Sequence, residues 1–165
     1  MAVEINILSD SLFFYRRGNL WGAVDRNGRQ LVAPDYESFT RVSASFIKLV
    51  ADGRYSLYSV PCKRIITDSE YEDFYAFSLR YVMVRLGKQL GLLDWCGQVI
   101  LTPRYSEIQM YASASFRVNY QGKWGIVEAD DRQVVPFQYD YIAPLRSSVC
   151  LVKYGRSFGV VNEKG

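Results

Sequence analysis

Residues 122–127 read Gly-Lys-Trp-Gly-Ile-Val, and the Trp-Gly pair inside this stretch recurs in altered form along the chain. Successive pairs lie about 34 residues apart, a spacing typical of tandem repeats. The five equivalent pairs are Trp21-Gly22, Tyr55-Ser56, Leu90-Gly91, Trp124-Gly125 and Phe158-Gly159. We refer to the second member of each pair as the anchor position. The spacing predicts one repeat domain over residues 1–165, with units at about 12–45, 46–80, 81–115 and 116–148 and a partial unit at 149–165.

The segment before each anchor carries apolar residues seven and nine positions upstream and a mostly polar residue six positions upstream. In the first unit these are Tyr15, Phe13 and Arg16. Such alternation is typical of a half-buried β-strand with one face toward the core. A glycine-containing turn then follows in every unit, where glycine supplies the positive φ that tight hairpins require. The turns are Gly18-Asn19, Gly53-Arg54, Gly87-Lys88, Gly122-Lys123 and Gly155-Arg156.

Two further strands are predicted after the turn. The second strand holds the anchor and an apolar pair, and it ends at a polar turn residue that in three units is followed three positions later by Gly28, Gly97 or Gly165. The third strand is short and is closed by Pro34, Pro103 or Pro136, since proline lacks the N–H that continues a ladder. A short exit element beginning at Tyr36, Tyr71, Tyr105 or Tyr139 completes each full unit.

Three features recur along the chain, exemplified by Gly122-Lys-Trp-Gly125, Asp25-Arg-Asn-Gly28 and Pro103-Arg-Tyr105. Through these features the chain resembles the WG-repeat family from about residue 12 onward. The second unit departs from the pattern because it lacks the Trp-Gly pair, the Asp and the Pro. The resemblance implies a repeat scaffold used for interaction rather than a particular enzymatic activity.

The fold class expected from these patterns is all-β, with each unit an antiparallel three-stranded meander. We expect the units to stack in an open twisted array, because a four-stranded propeller blade usually needs about 40 residues or more. A propeller-like radial arrangement is the alternative. The tandem positions assigned to packing within the repeat are Trp21, Gly22, Gly91, Trp124, Gly125, Gly159, Tyr36, Tyr71, Tyr105 and Tyr139.

Composition narrows the function classes. A hydrophobic content of 49% excludes a disordered chain, and a net charge of +3 from scattered residues argues against nucleic-acid binding, which requires a concentrated basic face. No segment approaches the roughly 18 apolar residues of a membrane span. The first nine residues lack the features of a signal peptide. We therefore expect a cytoplasmic protein with no nucleic-acid or membrane partner.

The chain has no histidine, which excludes the usual catalytic triads and Cys/His zinc sites. Cys62, Cys96 and Cys150 form no CxxC pair and are expected to be buried free thiols. Asp25, Asp94 and Glu128 occupy equivalent turns, which favours bonding to backbone over catalysis. The sequence thus predicts a protein that is not an enzyme and has no metal or cofactor.

Candidate contact residues are aromatic side chains outside the repeat pattern. Trp95 lies in a turn where other units place Arg26 and Ala129, both compatible with solvent. If exposed, the four tyrosines outside the pattern would line a shared face with it. This set comprises Trp95, Tyr111, Tyr120, Tyr141 and Tyr154.

Two functions remain open at this point. The first is a non-catalytic scaffold for protein–protein interaction, with another protein as partner or self-association through unpaired edge strands. The alternative is a carbohydrate or cell-wall binding module, suggested by the abundance of tyrosine and tryptophan.

Overall fold

Antiparallel strands and turns make up the part of the chain that the computed structural model describes, residues 4–9, 11–112, 114–144 and 149–162, and no helix occurs there. The chain divides into two compact units, residues 1–86 with 93–98 and residues 87–92 with 99–165. The strands form five sheets in which each hydrogen-bonded neighbour is also the neighbour in sequence. The prediction of an all-β fold of tandem antiparallel units is confirmed. The predicted turn residue Gly165 lies outside the described residues.

The sheets are numbered in chain order. Sheet 1 contains β1 (Ile5–Ser9), β2 (Leu12–Arg17), β3 (Leu20–Val24) and β4 (Gln30–Tyr36), and sheet 2 contains β5 (Ser38–Arg41), β6 (Phe46–Ala51), β7 (Arg54–Ser59) and β8 (Arg64–Asp68). Sheet 3 contains β9 (Asp73–Ala76), β10 (Tyr81–Leu86), β11 (Gln89–Asp94) and β12 (Val99–Tyr105), and sheet 4 contains β13 (Glu107–Ala112), β14 (Ser115–Tyr120), β15 (Lys123–Glu128) and β16 (Gln133–Tyr139). Sheet 5 contains β17 (Tyr141–Ile142), β18 (Val149–Tyr154) and β19 (Ser157–Asn162).

The exit element of each repeat is a true strand, and this changes the predicted three-stranded meander into a four-stranded sheet. After Tyr36 the chain leaves sheet 1 at Glu37, and β5 pairs with β6 of the next repeat, Phe39 facing Leu49. The amide of Glu37 already bonds the carbonyl of Val50. The last strand of each full repeat is therefore the first strand of the next sheet, so the boundaries of repeats and of sheets differ by one strand.

Strands in the interior of the array are buried on both faces, whereas alternation had predicted one buried and one polar face. We name the face of sheet 1 that carries Leu12, Phe14 and Ala23 its forward face, and the face with Phe13, Tyr15 and Val24 its rear face. Equivalent positions in the other sheets take the same names. In β6 and β10 the first two residues and the fourth are all buried, so both faces contribute to the core. The buried apolar pairs Leu57-Tyr58, Leu92-Leu93 and Ile126-Val127 in the second strands of their repeats have the same cause.

Successive sheets pack forward face on rear face, and three described clusters show the pattern. The first joins sheets 1 and 2, the second sheets 2 and 3, and the third sheets 4 and 5. Each buries apolar side chains from both partners. The main contacts are Phe14 and Ala23 with Ile47, Leu49 and Tyr58, then Phe46 and Leu57 with Val82, Val84 and Leu93, and then Ile126 and Val135 with Cys150 and Val152.

The Trp-Gly pair and the Pro-x-Tyr segment are two sides of one β-bulge. Trp21 pairs with Tyr36 and Ala23 with Val32, so the single residue Gly22 lies opposite the three residues 33–35. Pro34 lies within the edge strand β4 at this bulge instead of ending the strand as predicted. A methyl group on Gly22 would lie 2.8 Å from the Val32 carbonyl oxygen and 2.9 Å from the Pro34 nitrogen. Glycine is required because the bulged backbone fills the space of a side chain.

Sheet 2 tests this explanation within the same molecule. Its anchor is Ser56, its last strand β8 contains no proline, and Ser56 and Leu57 pair regularly with Asp68 and Thr67. The wide bulge is absent from this sheet, which leaves room for the serine side chain. Sheet 4 repeats the arrangement of sheet 1, with Trp124 opposite Tyr139 and Gly125 under the bulge.

The residues predicted to pack within the repeat do so to different extents. Trp21 and Trp124 are half-buried, Trp21 meeting Phe39 edge-on at a centroid distance of 5.1 Å. Tyr36, Tyr71 and Tyr139 are likewise partly buried against the three clusters, and Tyr105 is fully buried. The largest side chain of the anchor pair thus covers the edge of a cluster, and the glycine beside it lies at the centre.

Two of the three turn carboxylates, Asp25 and Asp94, bond backbone as predicted, whereas the Glu128 carboxylate accepts a hydrogen bond from the Arg132 guanidinium. One carboxylate oxygen of Asp25 accepts hydrogen bonds from the amides of Asn27 and Arg29, both at 2.9 Å. Asp94 accepts from the amides of Cys96 and Gln98, both at 2.8 Å. The Asp25 and Asp94 side chains thus close the turn between the second and third strands.

In sheet 4 the glycine position of this turn is occupied by Asp131, which adopts the left-handed φ of +61°. Its carboxylate accepts bonds from the Tyr105 hydroxyl at 2.5 Å, the Thr102 hydroxyl at 2.5 Å and the Arg104 guanidinium at 3.0 Å, all on β12. Burial, followed by this hydrogen bond, raises the pKa of Tyr105 above its usual value. Asp131 therefore fastens the turn of sheet 4 to the last strand of sheet 3.

Replacing Gly22 by alanine is expected to lower the free energy of unfolding by roughly 1–3 kcal/mol, because the new methyl group meets backbone that has no alternative position. Chemical denaturation measures the effect. Gly159→Ala is the matched control, since a methyl group there would lie 3.6 Å from the Val152 Cγ2, an ordinary contact. Equal destabilisation by the two variants would contradict the bulge explanation.

Replacing Asp131 by asparagine is expected to lower the free energy of unfolding by about 1–3 kcal/mol, because charge-assisted hydrogen bonds to a buried hydroxyl are weakened. Asp130→Asn serves as the control, since the Asp130 side chain is 65% exposed and bonds only within its own turn. If Asp131→Asn lowered the free energy of unfolding no more than Asp130→Asn does, the hydrogen bonds of Asp131 to β12 would make no net contribution to stability.

Candidate functional site

The five predicted contact residues differ in exposure. Trp95 is 41% exposed, Tyr141 46% and Tyr154 60%, whereas Tyr120 is partly buried and Tyr111 only 8% exposed. Trp95 lies in the first compact unit and the four tyrosines in the second. The structure therefore leaves three of the five rings open to a partner.

Tyr111 and Tyr120 serve the interior instead of a contact surface. Tyr111 belongs to the cluster that joins sheets 4 and 5. Tyr120 packs against Phe137 at a centroid distance of 5.3 Å and against Tyr105 at 6.2 Å. Both positions were assigned to the surface because they vary between repeats, yet both rings fill space between sheets.

Two of the exposed rings, those of Trp95 and Tyr141, already have an arginine guanidinium over one face. The guanidinium of Arg80 lies 6.0 Å from the ring centre of Trp95. Arg117 lies 5.7 Å from the Tyr141 ring and 5.1 Å from the Trp124 ring, and it donates to the carbonyl of Ile142. These cation–π contacts hold the rings in place and cover part of their faces.

Tyr154 borders a shallow groove of about 450 Å³ together with Lys123, Phe137, Asp140 and Gly155. The Lys123 ammonium lies 2.6 Å from an oxygen of Asp140, and the Gly155 amide donates to the other oxygen at 2.6 Å. The Lys123 hydrogen bond, and then that of Gly155, lower the pKa of Asp140. The carboxylate is thus fixed as an anion in a turn contact and is unsuited to proton transfer at neutral pH.

The largest apolar surface of sheet 5 is its forward face. Leu151 lies directly opposite Val160, and Lys153 opposite Phe158. Alternate residues of a strand share a face, so Val149 joins this set. We name Val149, Leu151, Phe158 and Val160 the terminal face. Their exposed fractions are 44%, 46%, 67% and 65%, in that order.

Comparison among the repeats shows how unusual this exposure is. Val160 is equivalent to Ala23, Leu57, Leu92 and Ile126, all fully buried. The terminal face was missed from sequence because its residues match core positions of the other repeats.

Other kinds of site receive little support from the described residues. Within them, no cluster of three or more Cys, Asp or Glu side chains is arranged to hold a metal ion, and no helix is long and apolar enough to cross a membrane. Cys150 is buried as predicted, but Cys96 is exposed and Cys62 partly exposed, so the expectation of three buried thiols is wrong for these two. Their turns lie at the surface.

Solved structures with similar folds share little sequence with this chain. Hsv2 of Kluyveromyces lactis is 11% identical, with a TM-score of 0.39 and coverage of 98% of this chain and 61% of that one. A eukaryotic initiation factor is 11% identical, with a TM-score of 0.46 and coverage of 93% and 49%. PorZ of Porphyromonas gingivalis is 11% identical, with a TM-score of 0.34 and coverage of 96% and 27%. The chain spans less than two thirds of the length of each.

Sequence comparison identifies the repeat itself. No curated protein sequence matches the chain. The family model for the WG containing repeat matches residues 21–55 and 124–156, which begin at the two Trp-Gly pairs. The first match lies in the first compact unit and the second in the other. The resemblance seen in the sequence is thereby confirmed, with one matching region in each compact unit.

Proposed function

We propose that this chain is a non-catalytic scaffold that binds another protein through the terminal face. The observation that carries the proposal is the exposure of Leu151, Phe158 and Val160 on one face of a regular hairpin. Contiguous apolar side chains on a soluble β-sheet are a marker of protein contact sites, since their exposure to water is unfavourable.

The geometry of the terminal face suits a protein partner. A two-stranded hairpin presents its alternate side chains as a flat, preorganised surface, so binding requires little ordering of the chain. Lys153 and Asn162 lie on the same face, at opposite ends of its strands, and supply polar groups around the apolar centre. An apolar centre with a polar rim is the usual composition of a protein interface.

The surroundings of Trp95 give less support to carbohydrate binding. A sugar ring stacks on an aromatic ring, but the Trp95 ring already has the Arg80 guanidinium over it. Carboxylates close to it are also engaged, because Asp94 accepts two backbone amides. The protein-binding proposal rests on a different surface, where Leu151, Phe158 and Val160 are 46%, 67% and 65% exposed.

Affinity capture from a lysate of the source organism tests the proposal. We expect the tagged chain to retain one protein in fixed molar ratio, and Phe158→Lys with Val160→Lys to reduce its recovery at least about tenfold, because two apolar side chains can no longer be buried in the contact. Leu79→Lys is the control, since Leu79 is 71% exposed and lies outside the terminal face.

Two results would contradict the proposal. Recovery that is unchanged by the double variant would place the contact elsewhere on the chain. Absence of any stoichiometric protein with the unaltered chain would remove the basis for a binding scaffold.

A further inference from the structure

Sheet 1 exposes an apolar rear face that complements the terminal face of sheet 5. Ile5 pairs with Tyr15 and Ile7 with Phe13, which in turn pairs with Val24. We name these five residues the first face. Ile5 and Ile7 are 62% and 68% exposed, and the other three are only partly buried.

Rear-face positions in the following sheets are buried by the forward face of the sheet before them. Ile47, Leu49 and Tyr58 of sheet 2 are fully buried against sheet 1. Val82, Val84 and Leu93 are at most 1% exposed against sheet 2. Among the described residues, no forward face packs on the first face, and no rear face packs on the terminal face.

We propose that the terminal face of one copy of this chain packs on the first face of a second copy, in a head-to-tail arrangement. This inference rests on the proposed function and names the partner as another molecule of the same chain. The proposed contact is of a kind that already occurs within the chain. At three described junctions the forward face of one sheet packs on the rear face of the next sheet.

Such an interface is heterologous, since it joins two different surfaces. Each added copy presents a free face of the same kind again, so the assembly grows until it closes as a ring or continues as a filament. A variant altered in only one of the faces still keeps the other intact.

Sedimentation velocity over a range of concentrations tests the proposal. We expect the unaltered chain to form species heavier than the monomer, and expect both Val160→Lys with Phe158→Lys and Ile7→Lys with Ile5→Lys to be monomeric. Mixing the two variants should restore a heterodimer and nothing larger, because only one intact pair of faces remains. Leu79→Lys should assemble as the unaltered chain does.

Three outcomes overturn the head-to-tail proposal: a monomeric unaltered chain, a first-face variant that still dimerises, and a mixture of the two variants that stays monomeric. Circular dichroism of each variant verifies its folding. The binding-scaffold proposal fails separately, when capture of a different protein is also insensitive to the terminal-face variant. A monomer that still captures another protein through that face overturns only the self-assembly.

A second and independent observation concerns Cys62 and Cys96. Their sulfur atoms lie 3.0 Å apart although the residues are 34 positions apart in sequence. Cys62 belongs to the turn between β7 and β8, and Cys96 to the turn between β11 and β12. The Arg64 guanidinium donates to the Cys96 carbonyl at 2.9 Å and holds the second turn against the first.

We infer that Cys62 and Cys96 are a dithiol site that forms an intramolecular disulfide with a low-molecular-weight disulfide as oxidant. The thiolate of one cysteine attacks the small disulfide, forms a mixed disulfide and releases one small thiol. The other thiolate then attacks the protein sulfur and releases the second small thiol. The two electrons lost by the protein reduce the oxidant, and both cysteine protons leave with the exchange.

The hydrogen bond with Cys62, together with burial, raises the pKa of the Cys96 thiol. Exchange through Cys96 should therefore accelerate as the pH rises toward that pKa, because the thiolate is the reactive form. The product ties sheet 2 to sheet 3 and closes a loop between neighbouring repeats, which restricts the unfolded chain.

Incubation of the native protein with oxidised glutathione, followed by thiol trapping and mass spectrometry, tests this site. We expect loss of two hydrogens, with a peptide link between Cys62 and Cys96 and a raised melting temperature. Cys150→Ser should still form the link. Cys62→Ser and Cys96→Ser should instead each carry one bound glutathione. Persistent free thiols at both positions, or stable glutathione adducts without the internal link in the unaltered protein, would overturn the inference.

Discussion

At the anchor glycine the last strand of the sheet bends inward until its backbone touches the strand beside it. The bulge at Pro34 fills the volume that a side chain on Gly22 would occupy, and the same contact recurs at Gly91 and Gly125. At Gly22 the contact is with backbone atoms of Val32 and Pro34, whereas at Gly125 the Phe137 ring occupies the space together with the Val135 carbonyl oxygen. In each case the last strand lies close to the anchor glycine. The tyrosine that follows the bulge, such as Tyr36, thereby lies opposite the tryptophan that precedes the anchor glycine. The chain leaves the sheet after this tyrosine in a defined direction.

Packing on both faces follows from that exit direction. Because β5 pairs within sheet 2, the forward face of sheet 1 covers the rear face of sheet 2. The buried apolar residues therefore lie at the junctions between sheets. Single repeats have little core of their own, so stability depends on neighbours, as in other repeat proteins. Polar contacts such as those of Asp131 reinforce a junction that apolar packing has already formed.

The repeat length, the hairpin turns and the role of the turn aspartates could be predicted from sequence because they depend on local chemistry that recurs at fixed spacing. The additional strand that begins each of sheets 2 to 5 could not be predicted, since Phe39 and its equivalents find their pairing partner in the following repeat. Burial of both faces was visible in the apolar pairs such as Leu92-Leu93, but alternation in the first strand obscured it. The terminal face was hidden because Val160 is chemically identical to a core residue, and Tyr111 was misplaced because departure from the repeat consensus does not by itself imply exposure.

The offset between repeats and sheets affects how such a chain can grow by duplication. Each of sheets 2 to 5 takes its first strand from the preceding repeat, as β5 shows, so a copied segment of one repeat length supplies a full set of four strand types wherever it is cut. The inserted copy accepts a strand from its predecessor and donates one to its successor. New units can therefore be added without redesigning either end, and the lengths of these arrays can change during evolution while the chemistry of the two end faces stays the same.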